Sequence, residues 1–314
     1  MRQEEILYMF PQAMRGKWAQ AAAQADSLQE IRMRVNVPAT VLIGNSEWFV
    51  DGAGRLLDRQ PAGAACSAEE LEAVLKHLCQ YSVYAFADEI RQGFLTVQGG
   101  HRVGLAGQVI LEDGSRVRNL KYIRYLNIRI AHEIKGVSDR VLPYLYDRRG
   151  GVLNTLLVSP PGCGKTTMLR DIIRHLSDGT KYGQGVNVSV VDERSEIAGS
   201  YLGIAQNDVG IRTDVLDGCP KQEGMMLLIR AMAPQVLAVD ELGSEGDIRA
   251  LQMASGCGCK LIATIHGESL AEIRRKKYMR DVMEDRLFER YLVLTKKNGQ
   301  CQVEGIYDGE GLRC

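Results

Sequence analysis

The sequence predicts an α/β protein with a parallel sheet in its C-terminal part and a smaller α+β domain before it. Five apolar runs are expected to be strands of that sheet, at residues 152–158, 186–191, 236–239, 261–265 and 291–295. Helical patterns separate these runs, and near-continuously apolar strands between helices are typical of a parallel sheet covered on both faces. The strands before residue 147 are short and partly alternating, which indicates an antiparallel sheet with one wet face.

The composition is that of a soluble globular protein. The chain has 314 residues, of which 45% are hydrophobic and 25% charged, and this length suits two domains. Its 39 basic and 39 acidic residues balance, so no overall field favours nucleic acid or an anionic membrane. The sequence contains no apolar run of about 18 residues and its first residues lack the layout of a signal peptide, so we expect no transmembrane segment.

Eight cysteines are scattered along the chain, and one of them, Cys163, lies inside a glycine-rich loop. We expect reduced thiols in a cytoplasmic protein, because a disulfide at Cys163 would hinder that loop. Cys257 and Cys259 are separated by one residue, and no further pair of ligands completes a zinc site. Metal binding by cysteine is therefore not expected.

The N-terminal part is expected to contain helices around a small antiparallel sheet. Ser67 and Glu70 form a capping box, which predicts the start of a helix that runs to about Cys79. Glycines at 150 and 151 end a further helical pattern, so we predict an N-terminal α+β domain at 1–147 and a second domain at 148–314. The other expected elements are a helix to about 26, strands at 31–35, 41–43 and 48–50, a helix at about 84–92, glycine-rich β structure at 96–110, a strand at 123–130 and a helix at about 137–151.

A strand, a loop of small residues and a helix meet at Ser159–Thr167. Seven of eight positions satisfy the phosphate-loop pattern G-x-x-x-x-G-K-S/T, and only Ser159 departs from it. In such a loop, backbone N–H groups surround phosphate, the lysine meets the β/γ charge and the hydroxyl binds Mg²⁺. A chance glycine-rich turn is the weaker interpretation. The predicted nucleotide-binding residues are Pro161, Gly162, Cys163, Gly164, Lys165, Thr166 and Thr167.

Two carboxylates, Asp240 and Glu241, follow the apolar run 236–239. Ligands of open α/β sheets bind at the carboxyl ends of the strands. We therefore expect Asp240 beside the Mg²⁺ position of Thr166, and Glu241 to orient the metal or the attacking water. The alternative is a pair of surface acids.

Two more strand ends carry polar groups. Asp192, Glu193 and Glu196 could supply a general base, and Arg194 could contact phosphate; a solvated turn is the alternative. His266 could sense the γ-phosphate through a hydrogen bond, although a lone histidine is often structural.

The order of these motifs resembles the secretion ATPases of type II, type IV and pilus machines. The motifs after the phosphate loop are Val191-Asp-Glu-Arg-Ser-Glu196, Gly210-Ile-Arg-Thr-Asp214, Val239-Asp-Glu-Leu-Gly243 and Ala263-Thr-Ile-His266. The resemblance implies a RecA-like ATPase that binds ATP and Mg²⁺, with Lys165 and Thr166 in the Walker A roles. It implies catalytic roles for Glu241, His266 and the acidic box of Asp192, Glu193 and Glu196.

Glu241 matches a glutamate that, in the secretion ATPases, usually follows a glycine. In this sequence the preceding residue is Asp240. Asp240 could therefore hold the metal, and the general base is either Glu193 or Glu241. Arg212, within the second motif, is a further candidate site residue. The resemblance also implies that arginines of the N-terminal domain complete a nucleotide site, for which Arg129 is the candidate.

Longer strings, including 215–221 and 225–234, resemble the sporulation members of this family in endospore-forming bacteria. This implies an ATPase that drives or assembles a secretion-like channel between mother cell and forespore. It implies a homo-oligomer, a hexameric ring, held on the cytoplasmic mother-cell side by membrane-anchored sporulation channel proteins.

Two other functions stay open on the sequence. A nucleic-acid-dependent RecA-like ATPase is permitted by the basic run 274–277, but the neutral net charge and the 6% of aromatic residues disfavour it. A nucleotide-binding scaffold with little turnover is the other alternative.

Overall fold

The computed structural model describes residues 3–297 and 300–314. The chain forms two compact units that divide between His132 and Glu133, earlier than the expected boundary after residue 147. Within the described ranges, no helix combines the length and the apolar character needed to cross a bilayer.

Unit 1 contains a seven-stranded antiparallel sheet in the order β4-β3-β2-β1-β7-β6-β5. Its strands are β1 (Leu28–Arg34), β2 (Ala39–Ile43), β3 (Ser46–Val50), β4 (Leu56–Leu57), β5 (Phe94–Val97), β6 (His101–Glu112) and β7 (Arg116–Arg129). Its helices are α1 (Gln3–Tyr8), α2 (Arg15–Ala22), α3 (Ala68–Leu78) and α4 (Ala87–Gln92).

The small antiparallel sheet and the capping box of α3 confirm the prediction for unit 1. Ser67 accepts a hydrogen bond from the Glu70 N–H, and the Glu70 side chain accepts one from the Ser67 N–H. The expected long first helix is instead two short ones, because Pro11 lies between them and has no N–H to continue a helix. The turn between the two helices stacks Phe10 on Trp18, with ring centroids 4.5 Å apart.

Unit 2 contains the expected parallel sheet, in the order β10-β9-β11-β12-β8-β13-β14. Adjacent strands are parallel except β13 and β14, which are antiparallel. The strands are β8 (Thr155–Ser159), β9 (Val188–Asp192), β10 (Thr213–Asp217), β11 (Val236–Leu242), β12 (Lys260–His266), β13 (Arg290–Lys297) and β14 (Gln300–Asp308). The helices are α5 (Lys165–Asp178), α6 (Lys221–Met232), α7 (Glu245–Gly256), α8 (Leu270–Arg275) and α9 (Lys277–Glu284).

Helices cover both faces of this sheet, as the apolar strands predicted. Leu157 of β8 packs into a core with Ile172 of α5, whereas its neighbour Leu156 packs into a second core with Leu251 of α7 and Val282 of α9. Successive residues of a strand point to opposite faces, so the two cores lie on opposite sides of the sheet. The edge strands β10 and β14 are absent from the sequence prediction. β10 is only half-buried, so it lacks the continuous apolar run of a central strand.

The segment 133–147 belongs to unit 2, which explains the earlier division. The prediction of a helix at about 137–151 was wrong, because the only helical element in that range is a 3₁₀ turn at Leu142–Tyr144. The buried carboxylate of Asp171 on α5 accepts hydrogen bonds from the Gly136 N–H at 3.1 Å and from the Ser138 N–H and hydroxyl at 2.8 and 2.6 Å. Leu145 is buried in the same core as Ile172 of α5. This burial and the hydrogen bonds to Asp171 hold residues 133–147 on unit 2.

Replacing Asp171 by asparagine is expected to destabilise unit 2 by about 2 kcal/mol at neutral pH. Burial favours a higher pKa, but the Ser138 hydroxyl and N–H, with Arg174, outweigh it and lower the pKa of Asp171 from 3.8 to about 2. The charged carboxylate therefore stabilises the fold above pH 3.8, and this contribution is lost as the pH falls toward 2. Urea unfolding of both proteins at pH 7 and at pH 3 measures the difference.

The matched control is Asp139→Asn, whose carboxylate also lies beside His175 but is 67% exposed. It should change the free energy of unfolding by less than about 0.5 kcal/mol, as is usual at the surface. Equal losses for the two variants would contradict the anchoring role of Asp171.

Candidate functional site

The phosphate loop joins β8 to α5 at the carboxyl edge of the sheet. Gly162 and Gly164 have φ angles of +67° and +72°, a left-handed conformation that strains any residue with a Cβ. α5 begins directly afterwards at Lys165, so the first backbone N–H groups of the helix have no intrahelical partner. Such an N-terminus is suited to bind a phosphate group.

Ser159, the departure from the pattern, fits the loop. It is fully buried at the end of β8, and its hydroxyl donates to the Pro160 carbonyl at 2.9 Å. Its φ is not in the left-handed region, so this position does not require glycine.

Glu241 is the point where the charged groups of the site converge. Its Oε1 accepts a hydrogen bond from the Lys165 Nζ at 3.0 Å and bonds the His266 Nε2, and its Oε2 accepts from Arg194 at 2.8 Å. Burial alone would raise the pKa of Glu241, but the hydrogen bonds and charges of Lys165 and His266 outweigh it and lower the pKa. The site therefore holds a charged carboxylate against the phosphate-loop lysine.

The backbone at Glu241 is strained. Its φ is +60°, and the pairing of β11 with β12 shifts register between Val239 and Leu242. A left-handed non-glycine residue costs about 1–3 kcal/mol and persists only where its surroundings hold it. The residue in this conformation is the one whose carboxylate pairs with Lys165.

Asp240 lies beside the hydroxyl of the phosphate loop, as the sequence predicted. The Thr166 Oγ1 donates to Asp240 Oδ2 at 2.6 Å, so a hydroxyl and a carboxylate oxygen converge at the start of α5. Mg²⁺ prefers such hard oxygen ligands, and the donors present fit the cation.

Thr264 is a functional candidate whose role the sequence did not reveal. Its hydroxyl donates to Asp240 Oδ1 and accepts the Glu241 N–H at 2.8 Å, so one buried side chain orients both acids. β12 lies between β11 and β8, and this strand order brings Thr264 there. A threonine within an apolar strand gives no signal of this role, because the strand order is not readable from sequence.

For the ATP hydrolysis expected from the motifs, replacing Thr264 by valine should reduce turnover at subsaturating Mg²⁺ about tenfold or more, while the fold is kept. Valine has a similar shape but leaves the Glu241 N–H and Asp240 without their partner, and residues that orient metal ligands typically contribute 10- to 100-fold. The dependence of kcat and KM on Mg²⁺ concentration measures the loss. Thr264→Ser, which keeps the hydroxyl, should retain most activity; equal defects in both variants would argue against the hydrogen bonds as the cause.

The acidic box divides into two parts. Asp192 is buried and accepts the N–H groups of Glu196, Ile197 and Ala198 at 2.8–3.0 Å. Burial raises the pKa of Asp192 to about 6, against the lowering effect of those three N–H groups. Asp192 therefore fixes the loop after β9, and its carboxylate is directed into the protein.

Glu193 and Glu196 lie nearer the site. The Glu193 carboxylate pairs with Lys221 at the start of α6, and Glu196 is exposed in the same small pocket as Asp240 and Glu241. Glu193, Glu241 and His266 also line a cleft of about 740 Å³ beside the helix starts of α6 and α7. The two candidate bases thus face one cleft but have different cationic partners.

The remaining candidates lie elsewhere. Arg212 donates to the Ser177 carbonyl at 2.8 Å, near the end of α5 opposite the phosphate loop, about 18 Å along the helix from Lys165. The structure therefore does not bring Arg212 to the loop within this chain. Arg129 is exposed on β7 of unit 1, in register with Glu30 and Arg102.

The parallel sheet and its phosphate loop define a RecA-like α/β fold, which the chain shares with solved ATPases. The ATPase DotB of Legionella pneumophila superposes with a TM-score of 0.55 at 15% identity, covering 93% of this chain and 79% of DotB. The pilus retraction motor PilT superposes with a TM-score of 0.59 at 14% identity, covering 92% and 81%. At these identities the likeness establishes the fold.

The chain belongs to the family "Sporulation stage III, protein AA", which matches residues 1–314. It is 40% identical over 308 residues to stage III sporulation protein AA of Bacillus subtilis (strain 168), covering 98% of this chain and 95% of that protein. It is 28% identical over 164 residues to the protein SEEDLING PLASTID DEVELOPMENT 1 of Arabidopsis thaliana, covering 51% of this chain and 22% of that protein. The resemblance drawn from the motifs is confirmed at the level of family and fold.

Proposed function

We propose that this sporulation protein is a Mg²⁺-dependent ATPase whose hydrolysis cycle drives or assembles a channel between mother cell and forespore. The observation that carries the proposal is the convergence of Lys165 and Thr166 with Asp240 and Glu241 at one edge of the parallel sheet. A phosphate loop facing two strand-end acids is the arrangement that phosphoryl transfer needs.

Each group of the site has an assigned role. The N–H groups of Gly162 to Thr167 bind the phosphates of ATP, and Lys165 neutralises the β/γ charge. Thr166 and Asp240 would hold Mg²⁺, which would supply charge neutralisation to the transferred phosphoryl group. Glu241 or Glu193 orients the attacking water and accepts its proton.

The ion pair of Lys165 with Glu241 ties ATP binding to the acids of the site. Lys165 pairs with Glu241 in the structure, and a shift of its ammonium toward phosphate would weaken this pair and free the carboxylate for water. His266 and Arg194 remain in contact with Glu241, so they report its state to β12 and to the loop after β9. Through these contacts we expect changes at Glu241 during hydrolysis to move β12 and the loop after β9.

A hexameric ring is the assembly we propose for this motor, with Arg129 of unit 1 completing a nucleotide site. Arg129 is exposed and lies on the same sheet face as Arg32 and Arg34 of β1, which alternate with the buried Ile31 and Met33. In the described part of the chain, its guanidinium makes no ion pair. Glu30 lies on the same face and pairs with Arg32 at 2.7 Å, but the three arginines outnumber this acid, and a face with excess positive charge suits a triphosphate. Membrane-anchored sporulation proteins are the proposed partners on the mother-cell side.

The deciding experiment measures ATP hydrolysis and molar mass on the purified full chain. We expect turnover that requires Mg²⁺, and light scattering that detects a larger assembly with ATP than without it. A protein that binds no ATP would overturn the proposal. Stimulation by single-stranded DNA that falls with salt would instead assign a nucleic-acid-dependent ATPase.

A further inference from the structure

Two cysteines from distant parts of the chain meet at the phosphate loop. Cys163 lies inside the loop between Gly162 and Gly164 and is 1% exposed. Cys301 lies on β14 and is exposed, and both are free thiols. β14 reaches this place because it pairs with β13, which lies next to β8, the strand that leads into the loop.

The Cys301 side chain lies against the loop, beside the two glycines that flank Cys163. Its Sγ donates to the Gly162 carbonyl at 3.7 Å. A Cβ added at Gly164 would lie 3.8 Å from Cys301 Cβ and 3.9 Å from its Sγ. The Cys163 thiol is near enough to raise the pKa of Cys301. No proposed step of ATP hydrolysis uses either thiol.

We propose that Cys163 and Cys301 form a modification site, in which oxidation by a low-molecular-weight disulfide links them and lowers the affinity of the loop for nucleotide. The effect on nucleotide rests on the proposed ATP site, whereas the covalent link does not. The disulfide would make the motor sensitive to the thiol–disulfide balance of its compartment.

The chemistry is two successive exchanges. The thiolate of the exposed Cys301 attacks the small disulfide, forms a mixed disulfide and releases one small thiolate. The Cys163 thiolate then attacks the Cys301 sulfur, forms the Cys163–Cys301 bond and releases the second small thiolate. Two electrons pass from the protein to the small disulfide, and the two protons lost by the cysteines end on the released thiols.

The expected effect on the loop follows from bond length. A disulfide holds its sulfurs about 2.0 Å apart, far closer than two thiols in non-covalent contact. The bond therefore pulls the loop and β14 together, and Gly162 and Gly164 already have constrained positive φ angles. N–H groups that must converge on phosphate lose their alignment when this short segment moves.

Oxidation of the pair should be slow at neutral pH. Cys301 is exposed as a residue, but its thiol is partly desolvated where it lies against the loop. This desolvation, with the adjacent Cys163 thiol, raises the pKa of Cys301 to about 11. A small fraction is therefore thiolate at neutral pH, and exchange is slow unless the oxidant is abundant.

The experiment uses the purified full chain, reduced or treated with oxidised glutathione. Mass spectrometry of the unreduced digest detects the peptide that joins Cys163 to Cys301, and a fluorescent ATP analogue measures affinity. In the wild type we expect that peptide and an affinity loss of about tenfold or more, both reversed by dithiothreitol. Cys301→Ser should show neither change, whereas Cys257→Ser, which removes another exposed thiol, should behave as wild type.

The other outcomes overturn the inference in distinct ways. Absence of the joined peptide removes the site, and a joined peptide with unchanged affinity removes its effect on nucleotide. An equal loss of affinity in Cys301→Ser would place the oxidation elsewhere. If the reduced wild type binds no ATP analogue, the proposed function fails, and the joined peptide still tests the link.

Discussion

Replacing Glu241 by glutamine is expected to lower ATP turnover about 10²- to 10⁴-fold while ATP binding is kept, because a general base typically contributes that much. Glutamine has the shape of the carboxylate but neither its charge nor its basicity. The Glu241 carboxylate contacts Lys165, the residue that we propose binds phosphate. This contact would place Glu241 closer to the reacting groups than Glu193. Loss of its charge also frees Lys165, so ATP affinity should be unchanged or higher.

Glu193→Gln is the matched control for this prediction. Glu193 pairs with Lys221 and not with Lys165, so we expect a smaller loss of turnover. Single-turnover hydrolysis and equilibrium ATP binding, measured separately for both variants, make the comparison. Abolished turnover in Glu193→Gln beside an active Glu241→Gln would assign the base to Glu193.

Lys165→Ala is expected to weaken ATP binding roughly 30-fold or more. Removing one partner of a buried charge pair typically costs 2–5 kcal/mol, and 1.4 kcal/mol is tenfold in affinity. The lysine is largely buried, with 11% of its side chain exposed, so water cannot replace its charge at the phosphate. Titration calorimetry with ATP, at equal Mg²⁺, measures the loss.

Lys277→Ala is the control for this variant, since its side chain is 91% exposed at the start of α9. It should bind ATP as the wild type does. In Lys165→Ala, Glu241 loses one partner and keeps Arg194 and His266, so we expect the protein to fold. Thermal unfolding checks this expectation. A folded Lys165→Ala protein with wild-type ATP affinity would contradict the phosphate-loop assignment.

Much of the candidate site could be predicted because its signals are local. The phosphate loop follows β8, the two acids lie near the end of β11 and His266 ends β12. Each of these groups comes after an apolar run, and the strand ends of a parallel sheet share one edge. The general position of these groups thus follows from the pattern of strands and motifs. Arg212 shows the limit of this reasoning, since its motif suggested the site while the structure holds it at the far end of α5.

The sequence by itself determined the class of the protein: apolar strands, helices between them and contiguous motifs are readable residue by residue. Only the tertiary structure decided which groups touch. The order β9-β11-β12-β8 makes Glu241 the common partner of Lys165, Arg194 and His266, and inserts Thr264 between the two acids. The tertiary structure also decided that residues 133–147 pack on α5 and that Cys301 packs on the phosphate loop. These contacts join residues far apart in the chain, and their pairing depends on the packing of the whole sheet, which no local pattern encodes.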